Sequence, residues 1–376
     1  MATRVRSYSK INLGLAIGPV RPDGFHGLAT LYQTLALHDL VTVEAELLPI
    51  ADASPEQSRI SLTTNHPGVP TDGRNTAWKM VELALIRMGV AAEVKIYIQK
   101  ALPVQGGLGA GSANAAAALI GLERELGFSL SELARMEVAA EVGSDVPLFL
   151  LGGAVLGTER GERVCEMPDL PTTPCVIAVP EVGVSTPRAF QEWDGLCAAQ
   201  SARLTSLAVP DRLEQLSHVY ASVFGPQTSD TSGIVRSRQD SINSETKQGG
   251  FGDGSKTSEQ GGVQNGLAGN TLLALVRTGI GNDFEQVVFP QYPLLREIKR
   301  LLMGTPADGL REGRPDDLSG KALYAALSGS GSALFGLYGS ESDARAAQQR
   351  VQSSGCKAIL TETLPRAEYW GRMFAE

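Results

Sequence analysis

The chain has 376 residues, 43% of them apolar and 20% charged, which suits two ordinary domains with normal cores and excludes a wholly disordered chain. A net charge of −8 argues against nucleic acid as a partner, because phosphate contacts need clustered Lys and Arg. The four cysteines and four histidines show no CxxC, HxxxH or mixed metal-ligand spacing, so no metal site is expected in the protein itself. The first residues lack the apolar core of a secretion signal, and the longest apolar run, near 146–157, is shorter than the roughly 20 residues that span a bilayer. A cytoplasmic protein with no membrane partner is the expectation.

In chain order, 4–17 and 40–47 read as strands. Residues 76–88 carry apolar side chains at helical spacing, with Asn75 near the start. Residues 93–99 alternate, placing Val94, Ile96 and Ile98 on one face. The glycine-rich stretch 103–111 follows, then an Ala-rich helix over 112–126 and a further helix over 129–142. Residues 148–158 and 174–180 look like buried strands. From 226 to 270 the chain turns to Gly, Ser, Gln, Thr and Asp, with too little apolar surface to offset its ordering entropy, and reads as a disordered insertion. Residues 290–303 predict a helix, 322–338 a strand, glycine turn and strand, 342–353 a helix and 357–362 a last strand. The pattern predicts an α+β protein of two lobes, with mixed sheets and helices. Its domains are expected over 1–165 and 166–376, with the insertion in the second.

Four segments carry chemistry. Pro103-Val-Gln-Gly-Gly-Leu-Gly-Ala-Gly-Ser112 places Gly106, Gly107, Gly109 and Gly111 directly before a helix. Bare backbone amides there, with the helix dipole behind them, form a natural anion cradle; a plain strand-to-helix turn is the competing reading. GxxxxGK[ST] and GxGxxG are both absent. Leu327-Ser-Gly-Ser-Gly-Ser-Ala333 is a second glycine turn, read alone as a hairpin. Glu141-Val-Gly-Ser-Asp145 sets one carboxylate after a helix, as a turn cap or a general base. Lys10 interrupts the strand Ser9-Lys-Ile-Asn-Leu13, where alternation alone would send it to solvent. Downstream of it, Arg21-Pro-Asp-Gly-Phe-His26 carries a ring and an imidazole on a turn.

Taken in order, these segments, together with Gly143-Ser-Asp-Val-Pro-Leu-Phe149, Asn282-Asp-Phe-Glu285 and Ser328-Gly-Ser-Gly331, resemble the GHMP kinase superfamily. Its members phosphorylate small alcohols or phosphate esters with ATP. The resemblance implies ATP and Mg²⁺ as cofactors and an active site between the lobes. Lys10-Ile-Asn-Leu with Asp23-Gly-Phe-His26 is similar to the branch acting on 4-diphosphocytidyl-2-C-methyl-D-erythritol, at its 2-hydroxyl, on the non-mevalonate route to isoprenoid precursors. The implied catalytic pair is Lys10 and Asp145. The implied ATP site comprises Asn75 (adenine), Lys100, Pro103, Gly106, Gly107, Leu108, Gly109, Ala110, Gly111 and Ser112. The implied acceptor site comprises Asn12, Phe25, His26 and Phe190, with Phe25 and Phe190 stacking on either side of the cytosine and His26 reading it. Ala113 stands where the family usually has a second Ser, and Gln191 where it often has Lys. The rival readings are a homoserine, mevalonate or sugar kinase and a non-catalytic nucleotide-binding protein of the same fold.

Overall fold

The computed structural model describes every residue except 1, 22, 50–54, 105, 202–279 and 305–320, and only the backbone at 200 and 201. The expected insertion at 226–270 lies outside the described residues. Two long strands dominate, β1 (Thr3–Val20) and β2 (His26–Leu47), paired antiparallel along most of their length. The stretch expected over 40–47 is only the far end of β2. Residues 7–16 are buried whichever face they point to, so alternation does not send Lys10 to solvent.

The far end of β2 pairs with β4 (Ala92–Gln99), which pairs parallel with β3 (Arg59–Thr64). The near end pairs with β5 (Ala154–Glu159), which continues through a hairpin to β6 (Arg163–Glu166). With the short β11 (Phe374–Ala375) on β1, these make a seven-stranded mixed sheet. Its inner face is covered by α1 (Thr76–Met88), α2 (Ala110–Leu126) and α3 (Glu132–Val142). The clean alternation of β4 survives as a buried Val94, Ile96 and Ile98. α2 lies close to the sheet because its residues are small: a Cβ on Gly121 would sit 2.7 Å from the Val43 side chain.

The second sheet is fully antiparallel, in the order β10 (Lys357–Glu362), β7 (Pro174–Val179), β9 (Leu334–Leu337), β8 (Tyr324–Leu327). Among the described residues, the helices of this lobe are α4 (Thr186–Ser201), α5 (Glu285–Gln291), α6 (Pro293–Met303) and α7 (Glu341–Ser353). A third core cluster joins the lobes, with Ile11, Leu13 and Leu31 of the first sheet against Ile177, Phe335 and Leu337 of the second.

Several expectations are corrected. The strand expected over 148–158 begins only at Ala154, and Pro147–Leu150 is a 3₁₀ turn, since Pro147 pre-sets a helical first position. The helix expected over 290–303 is two helices. Pro290 lies near the end of α5, and α6 restarts with Pro293 as its first residue. α2 starts at Ala110, two residues before the expected start. Residues 366–371 form α8, and Leu364, Tyr369 and Met373 pack in the first core. The end of the chain thus returns to the lobe where it began.

Candidate active site

The site grows from the register of β1 against β2. Lys10 pairs with Thr34 and Asn12 with Tyr32, with register shifts between Tyr8 and Lys10 and between Asn12 and Gly14. Such bulges re-aim side chains, here gathering Lys10, Asn12, Thr30 and Tyr32 into one network. Lys10 Nζ donates to Asn12 Oδ1 at 2.6 Å, and Asn12 Nδ2 donates to Thr30 Oγ1 at 2.6 Å. Lys10 Nζ lies 3.3 Å from Asp145 Oδ2, and the Tyr32 hydroxyl donates to Asp145 Oδ1 at 2.8 Å. The Lys10 side chain is 3% exposed and that of Asp145 32%, so the pair sits at the edge of solvent. Asp145 is held by side chains of β1 and β2, so it is more than a local turn cap. Burial, then the Asp145 charge, push the Tyr32 phenol well above its usual range, so it stays a neutral donor.

The glycine loop closes over this network. Lys10 N donates to Leu108 O at 3.0 Å. Gly109 takes a left-handed φ of 72°, and a Cβ on it would meet Phe149 Cζ at 2.9 Å and Lys10 Cγ at 3.0 Å. Only glycine lets the loop cross the lysine so closely. Gly109 is also the N-cap of α2 and makes no side-chain cap bond, which leaves the first amides of the helix, at Ala110, Gly111 and Ser112, open to an anion. Leu108 contributes backbone alone, its side chain being buried in the third core.

The second glycine turn interlocks with the first. It is a hairpin, with Leu327 paired to Leu334, and it is also a contact. Ser328 Oγ donates to Gly107 O at 2.9 Å, and Ala333 N donates to Gly106 O at 3.1 Å. A Cβ on Gly107 would lie 2.0 Å from Ser328 O. Asn282 secures the turn from beneath by donating to Leu327 O and Gly329 O at 2.9 and 2.7 Å. Asp283 Oδ2 accepts from Ile17 N at 2.9 Å, stitching the same motif to β1.

Other expected site residues have different company. Lys100 is ion-paired with Asp39, and both side chains are buried. Asp39 Oδ1 also accepts from Ala101 N and Leu102 N at 2.8 and 2.7 Å, so the pair anchors the entry to the loop just before Pro103. Asn75 Oδ1 caps α1 through Ala77 N at 2.9 Å, and its Nδ2 donates to Pro70 O at 2.7 Å. Asn12 spends its amide on Lys10 and Thr30. Ala113, the departure from a second serine, is buried against the first core, while Ser112 is only half-buried.

Among the residues expected to hold the acceptor, His26 and Phe190 stack face to face, ring centroids 4.7 Å apart and planes 17° from parallel. The expected sandwich has Phe190 facing Phe25 across a base; here the ring beside Phe190 is His26. The His26 ring packs on Phe190, His26 Nε2 lies 2.7 Å from Asp194 Oδ1, and Phe284 meets Phe190 edge-on. Phe25 is 53% exposed, with the Arg160 guanidinium 5.1 Å from its ring centre. Gln191 is exposed. Tyr32 and Asp194 are site neighbours that sequence reasoning missed; Asn282 and Ser328 were visible in motifs without a role.

Two lobes with an anion-ready glycine loop, a Lys–Asp pair beneath it and a second glycine turn interlocked with it define a small-molecule kinase of the GHMP class. Residues 75–153 match the N-terminal domain of GHMP kinases. A 4-diphosphocytidyl-2-C-methyl-D-erythritol kinase of Caldicellulosiruptor bescii is 28% identical over 96% of this chain and 98% of its own. The enzyme of that name from Corynebacterium efficiens is 38% identical over 55% of this chain and 67% of its own. A crystal structure of 4-(cytidine 5'-diphospho)-2C-methyl-D-erythritol kinase superposes with a TM-score of 0.57, at 25% identity, over 96% of this chain and 98% of that one. The chain belongs to the 4-diphosphocytidyl-2-C-methyl-D-erythritol kinase family of the GHMP kinases. Among the described residues, no helix is long and apolar enough to cross a membrane.

Proposed function

We propose that this protein transfers the γ-phosphoryl group of ATP to the 2-hydroxyl of 4-diphosphocytidyl-2-C-methyl-D-erythritol, in the cytoplasm, as a step of non-mevalonate isoprenoid precursor synthesis. The observation that carries the catalytic reading is the 3.3 Å approach of Lys10 Nζ to Asp145 Oδ2 beneath the loop that opens α2. Phosphoryl transfer asks a protein for positioning and charge compensation more than for covalent chemistry. The amides of Ala110, Gly111 and Ser112 receive the phosphates. Asp145 orients the acceptor hydroxyl and takes its proton at a carboxylate oxygen. Lys10, positioned by Asn12, compensates charge as the phosphoryl group moves.

Among the described residues no cluster of three or more His, Cys, Asp or Glu could hold a metal by itself. The donor set still suits Mg²⁺, which is usually carried by substrate phosphates with one or two protein oxygens. Ser112 Oγ and the Asp145 carboxylate are the hard donors at the mouth. Bound there, Mg²⁺ would neutralise the charge of the phosphates.

His26, supported by Phe190 and Asp194, reads the cytosine, and Phe25 covers it. The family relationship and this aromatic group favour a cytidyl acceptor over homoserine or mevalonate. The test is a coupled assay with ATP and Mg²⁺ and each of the three acceptors. Turnover with the cytidyl alcohol alone supports the reading. Equal or greater turnover with homoserine or mevalonate sinks the substrate assignment, and no ATP turnover with any acceptor sinks the kinase assignment.

A further inference from the structure

We infer that Tyr32 is a positioning residue for phosphoryl transfer: its phenol holds one oxygen of Asp145 while Lys10 holds the other, so the carboxylate meets the acceptor hydroxyl in a single orientation. This rests on the reading of Asp145 as the group that takes the acceptor's proton. The two oxygens have different partners, the Tyr32 hydroxyl at 2.8 Å on Oδ1 and Lys10 Nζ at 3.3 Å on Oδ2. Each oxygen of an ionised carboxylate accepts about two hydrogen bonds, so both keep acceptor capacity for a substrate proton. With both ends tied, the carboxylate loses its rotation about the Cβ–Cγ bond.

The protein makes room for this phenol with two glycines on the facing hairpin. A Cβ on Gly157 would lie 2.7 Å from Tyr32 Cε2. A Cβ on Gly161, whose φ is 103°, would lie 2.8 Å from the Tyr32 hydroxyl itself. The ring also flanks the cation, with Lys10 Nζ 5.4 Å from its centroid. Tyr32 thus touches both members of the catalytic pair, and Asn12, its cross-strand neighbour, holds the same lysine. Burial raises the phenol well above its usual range, so it remains a donor at neutral pH. Replacing Tyr32 with Phe keeps the ring and removes only the donor.

The experiment is a double-mutant cycle of Tyr32→Phe and Asp145→Asn, with kcat and both KM values measured on protein whose melting curve shows that it is folded. Tyr32→Phe is expected to lower kcat by about 10-fold, the size of one hydrogen bond to a charged group, with both KM values held within about twofold. In the Asp145→Asn background the same change should cost nothing further, because residues acting as a unit are not additive. Unchanged kcat in Tyr32→Phe alongside a crippled Asp145→Asn overturns the positioning role and leaves the kinase mechanism standing. An equal loss in both backgrounds, or a raised KM at constant kcat, also overturns it, making Tyr32 a structural or substrate-binding group. Near-normal kcat in Asp145→Asn defeats the reading of Asp145 and the inference with it. Should Tyr32→Phe fail to fold, Gly161→Ala, which crowds the same hydroxyl, replaces it in the cycle with the same expected and overturning outcomes.

Discussion

Two lysine–aspartate pairs sit in the first lobe, and they are built for different ends. In Lys100–Asp39 both side chains are buried, at 4% and 0% exposure, and the carboxylate accepts from the ammonium and two backbone amides. In Lys10–Asp145 the lysine is equally buried but the carboxylate is 32% exposed, tied by one side chain on each oxygen. A carboxylate sealed from solvent can only hold structure. One at the edge of solvent can exchange a partner for a substrate. On the proposed mechanism, proximity of opposite charges does not by itself mark a catalytic pair; access to the carboxylate does.

The largest effect expected from breaking this contrast is on stability, at Asp39. Asp39→Ala strands a buried ammonium and two amides and should cost about 3–5 kcal/mol, the range for breaking a buried pair. A denaturant titration reads this, and turnover per folded molecule should change far less. Next comes Asp145→Asn, which should lower kcat at least ~100-fold while stability and ATP affinity stay near wild type. If the two variants exchanged signatures, with Asp39 governing kcat and Asp145 governing stability, the contrast would be wrong.

A smaller effect is expected at the acceptor end, where His26 and Asp194 form a third, half-open pair backed by Phe190. Phe190→Ala should raise the KM for the cytidyl alcohol by about 2-fold to 10-fold, because the His26 ring loses a stacking partner worth roughly 0.5–1.5 kcal/mol. The KM for ATP should hardly move, and equal weakening of both would point to loss of α4 packing instead.

The smallest effect belongs to the exposed extreme, Arg74–Asp72. The Arg74 hydrogen bonds hold the Asp72 carboxyl at about 2, below the ordinary 3.8. A depressed carboxyl contributes stability above the ordinary value and loses it as pH falls toward about 2. Because this pair is in open solvent, salt screens it. Arg74→Gln should return the Asp72 titration toward 3.8 by NMR with no measurable change in the neutral-pH melting temperature. A clear loss of stability there would show that exposure is a poor guide to what such pairs do.

Much of this was legible in the chain itself. The helix over 76–88, the alternating strand near 93–99 and the glycine loop before an Ala-rich helix are local patterns, set by side-chain period and by the conformations only glycine adopts. The same loop, with Lys10 and Asp145, was enough to name a kinase class. Local pattern misled where one residue carries two meanings. Lys100 follows a strand-like run and Lys10 lies inside one, and only their partners show what each does. Those partners come from strand register, and the shifts that aim Lys10, Asn12 and Tyr32 at Asp145 arise from bulges in β1 against β2. Phe190 was visible as a ring but not as the face on which His26 rests, because α4 reaches β2 only through packing of the two lobes. Sequence alone determined which groups the protein owns and the short-range shapes that carry them. The tertiary structure decided which groups meet, because contacts between distant strands depend on register and packing that no local run of residues encodes.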